Sequence, residues 1–210
     1  MIIKGTFYAG RRRYVCAHQG QPTWDRFEAE LQERLPRFRG LITPTSRVDI
    51  DDYIAFQELT IELLYGGDQQ AYWKLGYESG RWALTEGPYA HLLAGAQRGL
   101  TTLQELMVRL WSVYTDQGRY RATRSPEGFE IEVDQLDRWH ACIELTIMGY
   151  GHGLIELITG AEATPQRIYG AAEGRLGCMY RFELDEANDA INAAGAAGSG
   201  PAARGQQARP

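Results

Sequence analysis

None of the familiar catalytic signatures is present in the 210 residues. There is no G-x-S-x-G elbow, no H-E-x-x-H, no P-loop and no Rossmann glycine fingerprint, so the chain is expected not to be an enzyme. Cysteine is scarce. Cys16, Cys142 and Cys178 are odd in number and widely spaced, with no C-x-x-C. That excludes a disulfide framework and suits a reducing cytoplasm. No run of about 20 uncharged apolar residues occurs, so no membrane span is expected. The most apolar long segment, residues 139–158, still carries His140, Glu144, His152 and Glu156. The first residues lack an apolar signal-peptide core. Positive charge is not in excess: 22 Lys and Arg stand against 27 Asp and Glu, for a net charge of -5. That argues against binding along a nucleic-acid backbone. The one basic run, Arg11–Arg12–Arg13, reads as a solvated helix face.

What is present is a globular composition, 44% hydrophobic and 23% charged. From residue 187 onward only Ala, Gly, Pro and polar residues follow, apart from Ile191, too little to bury. The expectation is one domain over residues 1–186 and a disordered tail over 187–210. Helical spacing runs through Trp24–Phe27–Leu31–Leu35, with Thr23 as a candidate N-cap. Residues 41–48 read as a loop. A helix over 49–65 ends at Gly66–Gly67, Asp68 can cap the next, and Leu100–Tyr114 carries a clean apolar stripe that Gly118 ends. The period then changes to two. Tyr120 and Ala122, a Ser–Pro–Glu–Gly turn, then Phe129, Ile131 and Val133 form a hairpin. A helix from about Leu136 to Ile158 is apolar over most of its girth, so it is covered on two sides. Two short strands, PQRIYGA and GCMYRFEL, close the fold. The expected class is α+β: N-terminal helices packed on a small antiparallel sheet made of two hairpins flanking a long buried helix.

In the last third, Trp139, Gly149, Gly153, Leu157 and Gly160 precede a strand, a glycine turn, Cys178 and Tyr180–Arg181–Phe182. This order resembles the superfamily of the vinyl reductase-type ligand-binding domain, the haem–nitric oxide domain and the TRAPP tethering subunits. Lys4–Gly5–Thr6–Phe7 and the pair Trp111 and Tyr114 resemble, more narrowly, a paralogous family of unknown function common in myxobacteria. The resemblance covers most of residues 3–185 and implies a fold rather than a function. It also implies two cofactors to weigh. In the vinyl reductase-type domains the last hairpin often reads C-x-A-x-G-x-x-x-C, and some members bind zinc there. Here Ala172, Gly174 and Cys178 match, but the first cysteine falls on Gly170. One thiolate is short of the four ligands zinc wants, and His18, His91, His140 and Cys142 stand at no finger-like spacing. Cys178 then reads as a small buried hydrophobe, with a reactive thiol as the alternative. Haem sensors of the superfamily carry a proximal histidine and, about thirty residues on, Y-x-S-x-R. Tyr77 to Arg81 matches those letters but lies in a helix. Tyr120 to Arg124 lies at the matching element after His91, with Ala122 in place of serine. Neither zinc nor haem is expected.

Among other candidates, His140 and Glu144, and His152 and Glu156, are i, i+4 pairs. The two pairs are turned about 120° from each other along a helix, so they do not converge on one metal. Asp49, Asp51 and Asp52 sit where a helix begins and acids suit its dipole. Gly149, Gly151 and Gly153 cost up to about 1 kcal/mol each inside a helix. They mark either close helix–sheet packing or a pocket wall. The pocket expectation names Trp73, Tyr77, Trp111, Tyr114, Gly149, Tyr150 and Gly153, with Trp82 nearby. The leading functional expectation is a cytoplasmic, non-enzymatic sensory module for a small apolar ligand. The alternative is a TRAPP-like dimerising or scaffold module, meeting a protein partner or a second copy through the Leu100–Tyr114 or Trp24–Leu35 helix.

Overall fold

The computed structural model describes residues 1–93, 100–126, 128–170 and 173–184. The expected tail at 187–210 lies outside the described residues. The order is β1 (Ile2–Lys4), α1 (Thr6–Gln19), α2 (Gln21–Arg34), a 3-10 turn at Pro36–Arg39, β2 (Arg47–Asp49), α3 (Ile50–Tyr65) and α4 (Gln70–Thr85). It continues with α5 (Ala90–Leu93), α6 (Leu100–Tyr114), β3 (Arg119–Ser125), β4 (Gly128–Asp134), α7 (Ala141–Thr159), β5 (Ala163–Tyr169) and β6 (Cys178–Leu184). The fold is α+β, as the change of period from 3.6 to 2 predicts.

The main sheet is antiparallel, in the order β3-β4-β6-β5. Its alternation separates two faces. Phe129, Ile131 and Val133 on β4, with Cys178, Tyr180 and Phe182 on β6, turn inward and are buried. The outer face pairs charges across strands: Arg119 with Asp134, Arg121 with Glu132, Arg181 with Glu130. Opposite charges directly across a ladder support the register that buries the apolar face. Pro165 sits in β5, an edge strand, where a missing N–H is tolerated.

α7 lies between this sheet and α4. It is the one described helix long and apolar enough to span a membrane by length and composition, and the same is true of a core helix covered on both sides. It begins at Ala141, later than the spacing suggests. Gln135 takes a left-handed φ of 60° and the His140 ring caps the helix, accepting from the Cys142 N–H at 3.2 Å. A second core joins α1, α2 and α3 through Tyr8, Trp24, Phe27, Phe38 and Phe56. Thr23 does not cap α2. Gly20 does, and the Thr23 hydroxyl donates back to the Gln19 carbonyl. Arg47 and Val48, read from sequence as loop, and Asp49, read as the start of a helix, form strand β2, which pairs antiparallel with β1.

Asp68 does serve the start of α4, its Oδ1 accepting from the Gln70 N–H at 2.9 Å. Asp68→Ala should lower stability by about 1 kcal/mol, the usual worth of such a cap, as a fall in urea midpoint at unchanged slope.

Candidate functional site

The glycines of α7 serve two different contacts. A Cβ at Gly149 would stand 2.2 Å from the Trp73 carbonyl oxygen, and one at Gly153 would stand 2.4 Å from that of Tyr77. From the other side, Gly76 and Gly80 face the carbonyls of Thr146 and Tyr150 at 2.2 and 2.6 Å. Four glycines therefore let the backbones of α4 and α7 touch. The glycine signal is close packing, against a helix rather than the expected sheet. Gly149 and Gly153 form no pocket wall, because the α4 backbone fills the space that a ligand would need. Trp73 and Tyr77 go with them. Trp73 Nε1 donates to His152 Nδ1 at 3.3 Å, and the Tyr77 hydroxyl donates to Glu156 at 2.5 Å. Gly151 alone faces the other way, toward Met107, Ile131 and Tyr120.

A cavity does exist, about 120 Å³ in volume, on that other side of α7. Trp111, Tyr114 and Tyr150 of the expected set line it, and Trp73, Tyr77, Gly149 and Gly153 do not. α1 contributes Thr6, Phe7, Gly10 and Arg11; α3 contributes Ile50, Tyr53 and Gln57. Across from them stand Met107 and Leu110 of α6, Tyr120 of β3, and Ile143, Thr146, Ile147 and Leu154 of α7. The cavity thus lies in the seam between the N-terminal helices and the α7–sheet layer. Its wall is mostly apolar. Tyr114 and Tyr150 meet hydroxyl to hydroxyl at 3.3 Å. Burial pushes the phenols of Tyr114, Tyr120 and Tyr150 well above their usual range and that of Tyr53 up to about 12, so all four keep their protons at neutral pH.

Arg11 overturns the solvated reading of the basic run. Arg12 and Arg13 are exposed, but Arg11 is 4% exposed. Its Nη2 donates to Gln57 Oε1 at 3.0 Å, and Gln57 Nε2 donates to the Tyr53 hydroxyl at 2.7 Å. Its Nη1 is buried with no hydrogen-bond partner among the described residues. Among the described residues no Asp or Glu lines the cavity. Sequence did hold a signal for this: Phe7, Arg11 and Tyr14 fall at i, i+4 and i+7 on one helix face.

The two His–Glu pairs separate. His140 caps α7 and its Nε2 lies 3.4 Å from Glu58. His152 and Glu156 do pair, at 3.1 Å. With Nδ1 accepting from Trp73, His152 Nε2–H donates to the Ala163 carbonyl at 2.8 Å. Burial raises the Glu156 carboxyl, but donation from Tyr77, the Ala163 N–H and His152 outweighs it, and the net shift is downward from 4.5. A carboxyl depressed in the folded state adds stability above its unfolded pKa and loses it as pH falls through the folded one. Glu156→Gln should therefore flatten part of the stability loss below about pH 4.5, read as urea midpoints across that range.

Cys178 is fully buried and its thiol is pushed up by burial, which fits an inert small hydrophobe. Gly170 has no room for the ligating side chain of the zinc pattern. A Cβ there would stand 2.2 Å from the Glu144 carboxylate, which itself accepts from Arg167 Nε at 2.6 Å and the Tyr180 hydroxyl at 2.9 Å. Ala172 lies outside the described residues. The helix faces offered as dimer seams are largely polar: among the described residues, Val108 is the one exposed large hydrophobic on α6, and α2 has none.

No family model matches the chain, and no curated protein matches it. Solved structures do. An H-NOX protein from S. oneidensis in the Fe(II) ligation state, a triple mutant, superposes with a TM-score of 0.66 at 13% identity, covering 90% of this chain and 99% of that one. An H-NOX protein from K. algicida, Fe(II) unliganded, gives 0.60 at 14%, covering 88% and 98%. A structure reported for modulation of haem redox potential through porphyrin distortion gives 0.60 at 16%, covering 88% and 96%. The fold is that of H-NOX domains.

These matches overturn the expectation of no cofactor, since a neighbour of the same fold is reported for its haem. The cavity as placed does not assemble the implied haem set. Of Tyr120, Ala122 and Arg124, Tyr120 lines the cavity, Ala122 is buried, and Arg124 is exposed near the end of β3. His91 is exposed on α5, and among the described residues no histidine or cysteine lines the cavity. Its 120 Å³ holds roughly ten water-sized groups, several-fold fewer than the atoms of a porphyrin. The residues present do not fit a haem at this site in this arrangement. The chain belongs, by shape, with the H-NOX fold.

Proposed function

We propose that the chain is a non-enzymatic sensory or regulatory module that takes a small, largely apolar ligand into the cavity between α1–α3 and α6–α7. The carrying observation is that cavity: both halves of the molecule contribute its walls, so a ligand inside touches both. Occupancy then biases how the α1 and α3 walls stand relative to α6 and α7, which is the differential contact a sensor needs. The likeness to H-NOX domains, whose reported states are defined by what their iron binds, supports a ligand-binding role. The narrower kinship with the myxobacterial paralogous family, and work in a reducing cytoplasm with three free cysteines, belong to the same reading.

The test uses neutral aromatics, toluene and indole, by thermal shift on the full chain. The expectation is a concentration-dependent rise in Tm that disappears in Ile147→Trp, which fills the cavity. No rise in the wild-type chain would overturn the reading. In a parallel arm haemin is titrated in. A stoichiometric Soret band would make haem the ligand and overturn the small-ligand reading.

A further inference from the structure

We infer that the ligand of this cavity is an acid, and that Arg11 anchors its carboxylate. This rests on the cavity being the ligand site, as proposed above, and goes on to name the ligand's chemical class.

A guanidinium stays charged at neutral pH, and burial draws the Arg11 pKa down only to about 10. An arginine recruited for its aliphatic stem would carry its head to water, as the exposed Arg12 is free to do, or to a surface partner, as Arg13 does with Glu86. Arg11 does the opposite. Arg11 is 4% exposed and lines the cavity, one arm of its fork is spent on neutral Gln57, and the other is buried with no partner among the described residues. The groups that face it are Gln57 and the phenols of Tyr14, Tyr53, Tyr65 and Tyr72. None of these carries the compensating negative charge. A buried cation retained without an anion is the half of an ion pair that a ligand completes, and the planar fork matches a carboxylate.

The rest of the wall restricts the ligand further. Among the described residues no second Lys or Arg side chain and no His lines the cavity, so a monoanion suits the Arg11 fork better than a phosphate dianion. Thr146 Oγ1, on α7 and also lining the cavity, is buried beside the Tyr53 hydroxyl with no well-formed hydrogen bond among the described residues, and can donate to the second carboxylate oxygen or to a ligand hydroxyl. Phe7, Met107, Leu110, Trp111 and Leu154 ask for an apolar body. The volume suits about ten heavy atoms: an arylalkanoic or medium-chain fatty acid. The same carboxylate chemistry is carried by a haem propionate, so the two sources are separated in the test.

Octanoate and phenylpropionate are compared by calorimetry with octanol and phenylpropanol, their uncharged partners, on the full chain. The acids should bind the wild-type chain about tenfold or more tightly than the alcohols. The ratio should fall to about one in Arg11→Met and be partly kept in Arg11→Lys. Acid and alcohol binding equally to the wild type would overturn the inference and leave the cavity reading standing. Failure of both would overturn the inference as well, and the neutral aromatics then decide the cavity separately. The wild-type ratio needs no variant, so misfolding of Arg11→Met would not shield the proposal. In the second arm haemin is compared with its dimethyl ester by Soret titration. A tenfold preference for the free propionates that Arg11→Met abolishes assigns the carboxylate to haem. Equal binding removes haem as its source.

Discussion

Gly149→Ala is expected to lower the stability of the folded chain by about 2–3 kcal/mol, although alanine is the better helix former. Two effects oppose each other. Alanine gains up to about 1 kcal/mol in a helix interior. Its Cβ would stand 2.2 Å from the Trp73 carbonyl oxygen, which is backbone and cannot turn aside. α4 would have to retreat as a unit, and Gly76, Gly80 and Gly153 hold it equally close along the same line. Overpacking of this kind costs about 1–3 kcal/mol or more, and here it exceeds the propensity gain. Gly151→Ala is the control. Its Cβ would meet Ile131 Cδ1 at 2.6 Å and Met107 Cε at 3.2 Å, both the ends of rotatable side chains. That change should stay within about 1 kcal/mol of the wild type. Urea unfolding of the two variants measures the contrast. Equal stabilities would mean that the α4–α7 backbones do not touch.

Arg11→Met should do the reverse in the absence of ligand, raising stability by about 1–2 kcal/mol and the Tm by a few degrees. The substitution removes a buried charge that no described residue compensates and keeps the apolar stem against α3 and α4. Against this, Gln57 Oε1 loses its donor, worth about 1 kcal/mol. Removal of an unpaired buried cation outweighs that loss. A residue whose loss stabilises the empty protein and abolishes its response to acids is kept for function. If Arg11→Met instead destabilises the empty chain by several kcal/mol, the guanidinium is a strut between α1 and α3.

The class of the fold was legible because α6, β3 and β4 each carry a clean period and α7 is a long run apolar over most of its girth. β1 and β2 were not. Each is three residues long, and Ile3 pairs with Val48, a contact that no local pattern records. The glycine pattern on α7 was visible, and its partner was not: Gly76 and Gly80 carry the matching i, i+4 spacing on α4, but one chain does not say which helix will lie against which. That is why Trp73, Tyr77, Gly149 and Gly153 were grouped with a pocket they do not line, while Trp111, Tyr114 and Tyr150 face it. Arg11 was hidden by its neighbours. Three arginines in a row look like a solvated face, yet a helix turns about 100° per residue, so three of them span about 200° and one can turn inward while the other two stay exposed. The zinc pattern failed at Gly170 for a reason sequence could not give, the Glu144 carboxylate lying where a side chain would be. The likeness to H-NOX domains was not legible in Tyr120–Arg124, because motif letters do not record the shape of the whole fold.

The most direct test of the central claim follows the methionine methyls. Of the four methionines, Met107 lines the cavity and Met179 lies on β6 away from it. In a spectrum of the protein labelled at its methionine methyls, octanoate should move the Met107 resonance, saturate at one equivalent and leave Met179 in place. A titration that leaves Met107 unmoved would contradict the account.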